Sequence, residues 1–87
     1  MSLNFPNDSR SYDETRHAVR FWGYDGSREV PFFVTEDALR RLDASAERDE
    51  PGMLSAFSAH RHRVYAAAVR VYARGRKGSY DIRGEDI

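Results

Sequence analysis

Residues 51–74 constrain the fold of this chain most strongly, because their apolar side chains follow a helical spacing. The inward positions lie three, four or seven residues apart and make one stripe on a helix: Leu54, Phe57, Val64, Ala68 and Val71. Pro51 suits the first turn of a helix, and Gly75 lies where a helix commonly ends. The pattern therefore predicts one long amphipathic helix over residues 51–74.

A β-hairpin is predicted upstream of this helix. Residues 17–23 and 28–34 alternate between apolar and polar positions, and they flank Asp25-Gly26. Asp-Gly is a strong signal for a two-residue hairpin loop, because both loop positions need a positive φ. With this loop Phe21 lies opposite Val30, and one face of the hairpin becomes almost wholly apolar, as a core face should be.

The remaining elements complete an α+β pattern. Thr35 can cap a short helix, residues 79–82 read as a C-terminal strand, and residues 3–5 are a candidate N-terminal strand that stops at Pro6. We predict a single domain over residues 1–87: a two-layer sandwich whose antiparallel sheet is covered on one face by a short and a long helix. The predicted core is Val19, Phe21, Val30, Phe32, Leu39, Leu42, Leu54, Phe57, Val64, Ala68, Val71 and Ile82.

Composition limits the compartment and the chemistry. The chain has no cysteine, which excludes disulfides and thiolate metal sites and favours the reducing cytoplasm. No apolar run approaches the roughly 20 residues of a membrane span, so we expect no membrane partner.

No residue pattern points to a catalytic or cofactor site. His60 and His62 would point about 200° apart on a helix and could not share a metal ion. Ser55 and Ser58 lie within the predicted long helix, without the strained turn of a nucleophile elbow. We therefore predict a protein that is not an enzyme and binds neither a cofactor nor a metal.

The outer face of the hairpin is the leading candidate for function. It groups aromatic and apolar side chains around one arginine: Ala18, Arg20, Trp22, Pro31 and Phe33. Such a surface is typical of an interface, or it is covered by a terminus such as Leu3 and Phe5 or by another subunit. The favoured interpretation is a non-enzymatic cytoplasmic accessory domain that acts through protein–protein contact or as a homodimer.

The second candidate surface is basic. Residues 51–80 contain six Lys or Arg and no acid, although the net charge of the whole chain is zero. The proposed anion-binding side chains are Arg63, Arg70, Arg74, Arg76 and Lys77. Local positive potential attracts phosphate backbones, so weak nucleic-acid or polyanion binding is the alternative function. A solvated helix face, with cations that suit the helix dipole, explains the same residues without a ligand.

The order of several short motifs resembles a known family. They are N-F-P, S-Y-D, A-V-R-F-W-G, P-F-F-V followed by A-L, H-R-x-x-V-x-x-A-A, and Y-D-I-x-x-x-D-I. Together they resemble domain of unknown function 1488, a family of short, mostly proteobacterial proteins, over nearly the whole chain. The resemblance implies a compact two-layer α/β sandwich. The family has no established activity, so it implies no catalytic or ligand residues.

Overall fold

The computed structural model describes residues 3–87, which form an open, mixed five-stranded sheet with helices packed on one face. The elements in chain order are β1 (Leu3–Asn4), β2 (Arg10–Asp13), β3 (Ala18–Asp25), β4 (Arg28–Thr35), α1 (Glu36–Leu42), α2 (Glu50–Ala59), α3 (Arg61–Ala73), β5 (Tyr80–Ile82) and a 3-10 helix (Gly84–Asp86). The predicted α+β two-layer sandwich is confirmed.

Strands β3 and β4 form the expected hairpin, but their pairing is shifted by two residues. Phe21 lies opposite Phe32, so the loop is Gly26-Ser27 and not Asp25-Gly26. Gly26 has a φ of 63°, and a glycine at the first loop position is typical of a type II′ turn. The predicted register was therefore wrong. Because strand side chains alternate with a period of two, a shift of two leaves each of them on its predicted face.

The sheet extends on both sides of this hairpin. Strands β1 and β2 both pair antiparallel with β3, which confirms the N-terminal strand and adds β2, which was not predicted. Strand β5 pairs with β4 in parallel, with Phe32 opposite Tyr80, so the antiparallel C-terminal strand was wrong. Parallel neighbours need a long crossover between them, and the three helices that separate β4 from β5 provide it.

The segment predicted as one long helix is divided at His60 into α2 and α3. The backbone of His60 leaves the helical region (φ −117°, ψ 27°), and its Nε2 lies 3.8 Å from Asp43 Oδ2 in the connection after α1. The apolar stripe lacks one turn at the break, between Phe57 and Val64, but a step of seven residues stays in phase with a helix, so the spacing does not reveal the break. The cap at Thr35 is as predicted, since its hydroxyl accepts the N–H of Ala38. At the start of α2 the carboxylate of Asp49 accepts the N–H of Gly52.

The core lies between the sheet and the helices. Of the twelve predicted core residues only Leu54 is half-buried, and the others are buried. Met53, one position earlier on α2, points inward in its place. The core also takes in side chains that were not predicted: Val34, Ala38, Ala56, Ala67, Tyr72 and Tyr80.

Gly23 leaves a gap on the core face of β3 that the N-terminal segment fills. A Cβ at Gly23 would lie 2.9 Å from the ring of Phe5 and 3.0 Å from Leu3 Cδ1. The Phe5 ring stacks on Tyr65 of α3, with centroids 4.1 Å apart, and it also contacts Phe21. Because Gly23 has no side chain, Leu3 and Phe5 can pack against it, and Phe5 connects the N-terminal segment to α3.

Candidate functional site

The five residues predicted as an interface lie together on the sheet face that carries no helix. In the ladder Arg20 is opposite Phe33 and Trp22 is opposite Pro31, while Ala18 lies at the start of the same strand face. Phe33 is only 8% exposed and Trp22 is half-buried, because neighbouring side chains on the sheet crowd them. The structure thus brings the predicted residues together, although the buried members offer less free surface than expected.

Two guanidinium groups stack on the aromatic rings of this face. Arg16 lies 4.1 Å from the centre of the Phe33 ring, and Arg20 lies 4.9 Å from Trp22 and 5.8 Å from Phe33. Cations over ring faces are attracted by the ring quadrupole. We define the helix-free face by Arg16, Arg20, Trp22, Pro31 and Phe33. Arg16 was missed from the sequence because it lies in the turn before β3.

Polar groups border the helix-free face. Asp81 of β5 lies opposite Phe33, 3.7 Å from Arg16 and 3.8 Å from Arg83. At the other end of the hairpin, the hydroxyl of Tyr24 donates to Glu29 at 3.1 Å. An aromatic centre with a charged rim of both signs is the usual anatomy of a protein interface.

The N-terminal segment does not cover this face. Leu3 and Phe5 both pack on the opposite side of the sheet, where they meet Gly23 and the hydrophobic core. The sequence left two covers open, a terminus such as Leu3 and Phe5 or another subunit, and Leu3 and Phe5 are therefore excluded.

The five cations of the basic surface do not act as one group. Arg70 donates to the backbone oxygen of Asp86 at 2.6 Å, and Arg74 donates to its carboxylate, also at 2.6 Å. The side chains of Arg63, Arg76 and Lys77 are exposed and make no hydrogen bond or ion pair within the described part of the chain. Only these three point freely into solvent.

Asp86 is buried, and because it lies outside residues 51–80 the charge count over that range did not include it. Its carboxylate accepts the backbone N–H of Arg83 at 2.8 Å as well as the Arg74 guanidinium. Burial alone raises the pKa of Asp86, but these hydrogen bonds and the charges of Arg74 and Arg83 outweigh it and hold that pKa below its ordinary value. The group is therefore a structural anion that neutralises part of the basic surface.

A second polar cluster, which sequence reasoning also missed, joins β2 to α1. The Tyr12 hydroxyl donates to Glu36 Oε2 at 2.6 Å, and His17 Nδ1 lies 3.7 Å from the same oxygen. The hydrogen bond to Glu36, with burial, raises the pKa of Tyr12 to about 12, so the phenol stays protonated. His17 has a φ of 50°, which is uncommon for a residue with a side chain. The cluster connects β2 to α1 and has a structural role.

Within residues 3–87 no three His, Asp or Glu side chains lie close enough together to hold a metal ion. None of the helices in that range has the length and apolar character needed to cross a bilayer.

The fold and its surfaces define a small open-faced α+β sandwich domain. Residues 3–83 match the model of the family described as protein of unknown function (DUF1488), and the chain belongs to that family. A crystal structure of a protein of unknown function from the same family, from Shewanella loihica PV-4, is 17% identical with a TM-score of 0.81. The match covers 93% of this chain and 91% of that one, so the two share a fold. Comparison with curated proteins gives no match.

Proposed function

We propose that the chain is a non-enzymatic cytoplasmic interaction domain that contacts another protein through the helix-free face. The observation that carries the proposal is the grouping of Trp22 and Phe33 under Arg16 and Arg20, on a sheet face that no helix or strand of residues 3–87 covers. Tryptophan and arginine dominate the energetic centres of protein interfaces.

A second copy of this chain is the partner that the charges favour. The rim of the face carries arginines and carboxylates of similar number, so a two-fold axis can place Arg20 of one copy near Glu29 or Asp81 of the other. Two sheets that pack face to face stand about 10 Å apart and interdigitate their side chains. Such a dimer buries both copies of Trp22 and leaves the helices outside.

Light scattering on the purified 10.0 kDa chain tests this proposal. We expect a dimer. Trp22→Ala should weaken it roughly 1,000-fold, since an interface tryptophan commonly contributes about 2 kcal/mol and the variant loses that contribution from both copies. Val69→Ala is the matched control, because Val69 is an apolar side chain that is 41% exposed on α3, away from the sheet. Circular dichroism establishes that both variants remain folded.

Three results would contradict the proposal. A parent chain that stays monomeric at millimolar concentration refutes self-association, and a cell protein captured equally by the parent and by Trp22→Ala refutes use of the face. A dimer that Val69→Ala disrupts as strongly as Trp22→Ala places the contact on the helices.

The alternative, weak binding of nucleic acid through the basic surface, has less support. Asp86 occupies Arg70 and Arg74, which leaves Arg63, Arg76 and Lys77 for a phosphate backbone. A titration of labelled oligonucleotides at low and moderate salt, comparing the parent with Arg76→Glu/Lys77→Glu, tests it. An affinity that the double reversal leaves unchanged rules this surface out. Reversing Arg74 is the poorer test because it also breaks its contact with Asp86.

A further inference from the structure

A polar cleft of about 560 Å³ lies outside the helix-free face and the basic surface. It opens between α1, the connection from α1 to α2, and the C-terminal turn. Its lining residues are Thr35, Asp37, Arg40, Arg41, Arg48, Arg83, Gly84 and Glu85. The volume falls in the range of small-molecule sites, but the lining has no aromatic side chain and is dominated by charge.

The four arginines of the cleft are held in different ways. Arg40 is committed to the fold, because it donates to the backbone oxygens of Ala46 at 2.8 Å and Ala44 at 3.3 Å. Arg41 makes no hydrogen bond or ion pair within residues 3–87, and its stem crosses Gly84, where a Cβ would lie 3.1 Å from Arg41 Cδ. Gly84 thus gives Arg41 the room to lie in the cleft.

The other two arginines are held only loosely by carboxylates. Arg48 lies 3.6 Å from Asp37, and Arg83 lies 3.8 Å from Asp81, both beyond hydrogen-bond distance and both largely exposed. Exposed ion pairs of this kind contribute little to stability, because water screens them. A ligand can therefore take over these guanidinium groups at little cost.

Arg41, Arg48 and Arg83 come from three separate segments and line one cleft. The lining has four arginines and two carboxylates, a net charge of two positive, which Asp81 beside Arg83 reduces to one. A guanidinium presents a fork of N–H donors that matches phosphate oxygens, and several forks around one group suit a dianion. The two carboxylates, Asp37 and Glu85, are acceptors for hydroxyl groups next to that anion.

We infer that this cleft binds a small phosphorylated, hydroxyl-bearing molecule, with its phosphate held by Arg41, Arg48 and Arg83. The lack of an aromatic ring in the lining favours a ligand without a base to stack. The inference is independent of the helix-free face and of any dimer.

Nuclear magnetic resonance titrations at constant ionic strength test this site, with inorganic phosphate, glycerol 3-phosphate and acetate as probes. We expect both phosphates to shift the amide resonances around Arg41, Arg48 and Gly84 in a saturable way, and acetate to bind at least 10-fold more weakly. Arg41→Gln/Arg83→Gln should weaken phosphate binding at least 10-fold. The variant Gly84→Ala should weaken it too, because the new methyl group displaces the stem of Arg41.

The matched control is Arg76→Gln, which removes a free arginine from a loop outside the cleft. Binding that persists in this control and disappears in the double variant supports the inference. Shifts no larger than those caused by chloride, acetate that binds as well as phosphate, or equal losses in the control and the double variant would overturn it. The dispersion of each variant's spectrum reports that its fold is intact.

Discussion

Replacing Asp86 with alanine should lower the free energy of unfolding by about 2 kcal/mol. Asp86 is 7% exposed, and its carboxylate joins the backbone N–H of Arg83 to the Arg74 guanidinium. A hydrogen bond to a charged group contributes about 1.5 to 3 kcal/mol. The Arg74 side chain is 61% exposed, so water screens its contact, which we assign about 0.5 kcal/mol. The hydrogen bond from the Arg83 N–H supplies the remainder of the roughly 2 kcal/mol. That contribution is already reduced by the cost of burying the Asp86 charge, which the alanine variant no longer pays.

Urea unfolding followed by circular dichroism measures this loss. With a slope near 1 kcal/mol per molar urea, we expect the midpoint to fall by roughly 1 to 2 M. Asp81→Ala is the control from the same segment, because Asp81 makes only exposed ion pairs and should cost at most about 0.5 kcal/mol. If Asp81→Ala or Arg74→Ala destabilises the chain as much as Asp86→Ala, the reasoning fails.

The stabilities of the parent and of the Asp86→Ala variant should respond differently to acid. The pKa of Asp86 is lower in the folded chain than in the unfolded one, so its contribution is complete above the unfolded value near 3.9. That contribution disappears as the pH falls through the folded pKa. The gap in stability between the parent and Asp86→Ala should therefore be constant above about pH 5 and narrow below about pH 4. A gap independent of pH would show that the carboxylate charge plays no part.

Three further substitutions test the contacts of the sheet. Gly23→Ala places a methyl group 2.9 Å from the Phe5 ring and should cost about 1 to 3 kcal/mol in urea unfolding, whereas a neutral result would mean that β1 is not held there. His17→Val should be about 1 to 2 kcal/mol less stable than His17→Asn, since asparagine tolerates a positive φ; equal melting temperatures would refute this. Tyr12→Phe should cost about 1 kcal/mol. The stability that this hydrogen bond gives the parent should be complete below pH 10, the ordinary pKa of tyrosine, and should be lost as the pH rises to about 12, the pKa of Tyr12 in the folded chain; an absorbance titration of the phenol can check that pKa.

The hairpin marks how far the sequence predicts the fold. Alternation of apolar and polar residues assigned Val19, Phe21 and Phe32 to the core face correctly. It could not choose between registers that differ by two, because both keep every side chain on the same face. The choice depends on which backbone conformation Gly26 adopts in the loop, and two glycine-containing turns fit the same residues.

The apolar spacing of the sequence could not predict features that depend on contacts between distant segments. The parallel pairing of β5 depends on where the helices return the chain, which apolar spacing does not encode. The break at His60 falls within a seven-residue step of the apolar stripe that one continuous helix would also allow, and the His60 side chain lies near Asp43 from the preceding connection. The same holds for the candidate sites: the helix-free face follows from alternation within one hairpin, whereas the contact between Arg74 and Asp86 joins separate segments.

The parallel pair of β4 and β5 has a consequence for the newborn chain. Phe32 pairs with Tyr80, which is synthesised 48 residues later, so the ribosome needs roughly 2 to 10 seconds between them at about 5 to 20 residues per second. During this interval the hairpin can already form, but the outer edge of β4 has no partner. An open edge is a template for any other strand, including that of a neighbouring nascent copy. The interval between translation of β4 and of β5 is therefore when this chain is most exposed to mispairing.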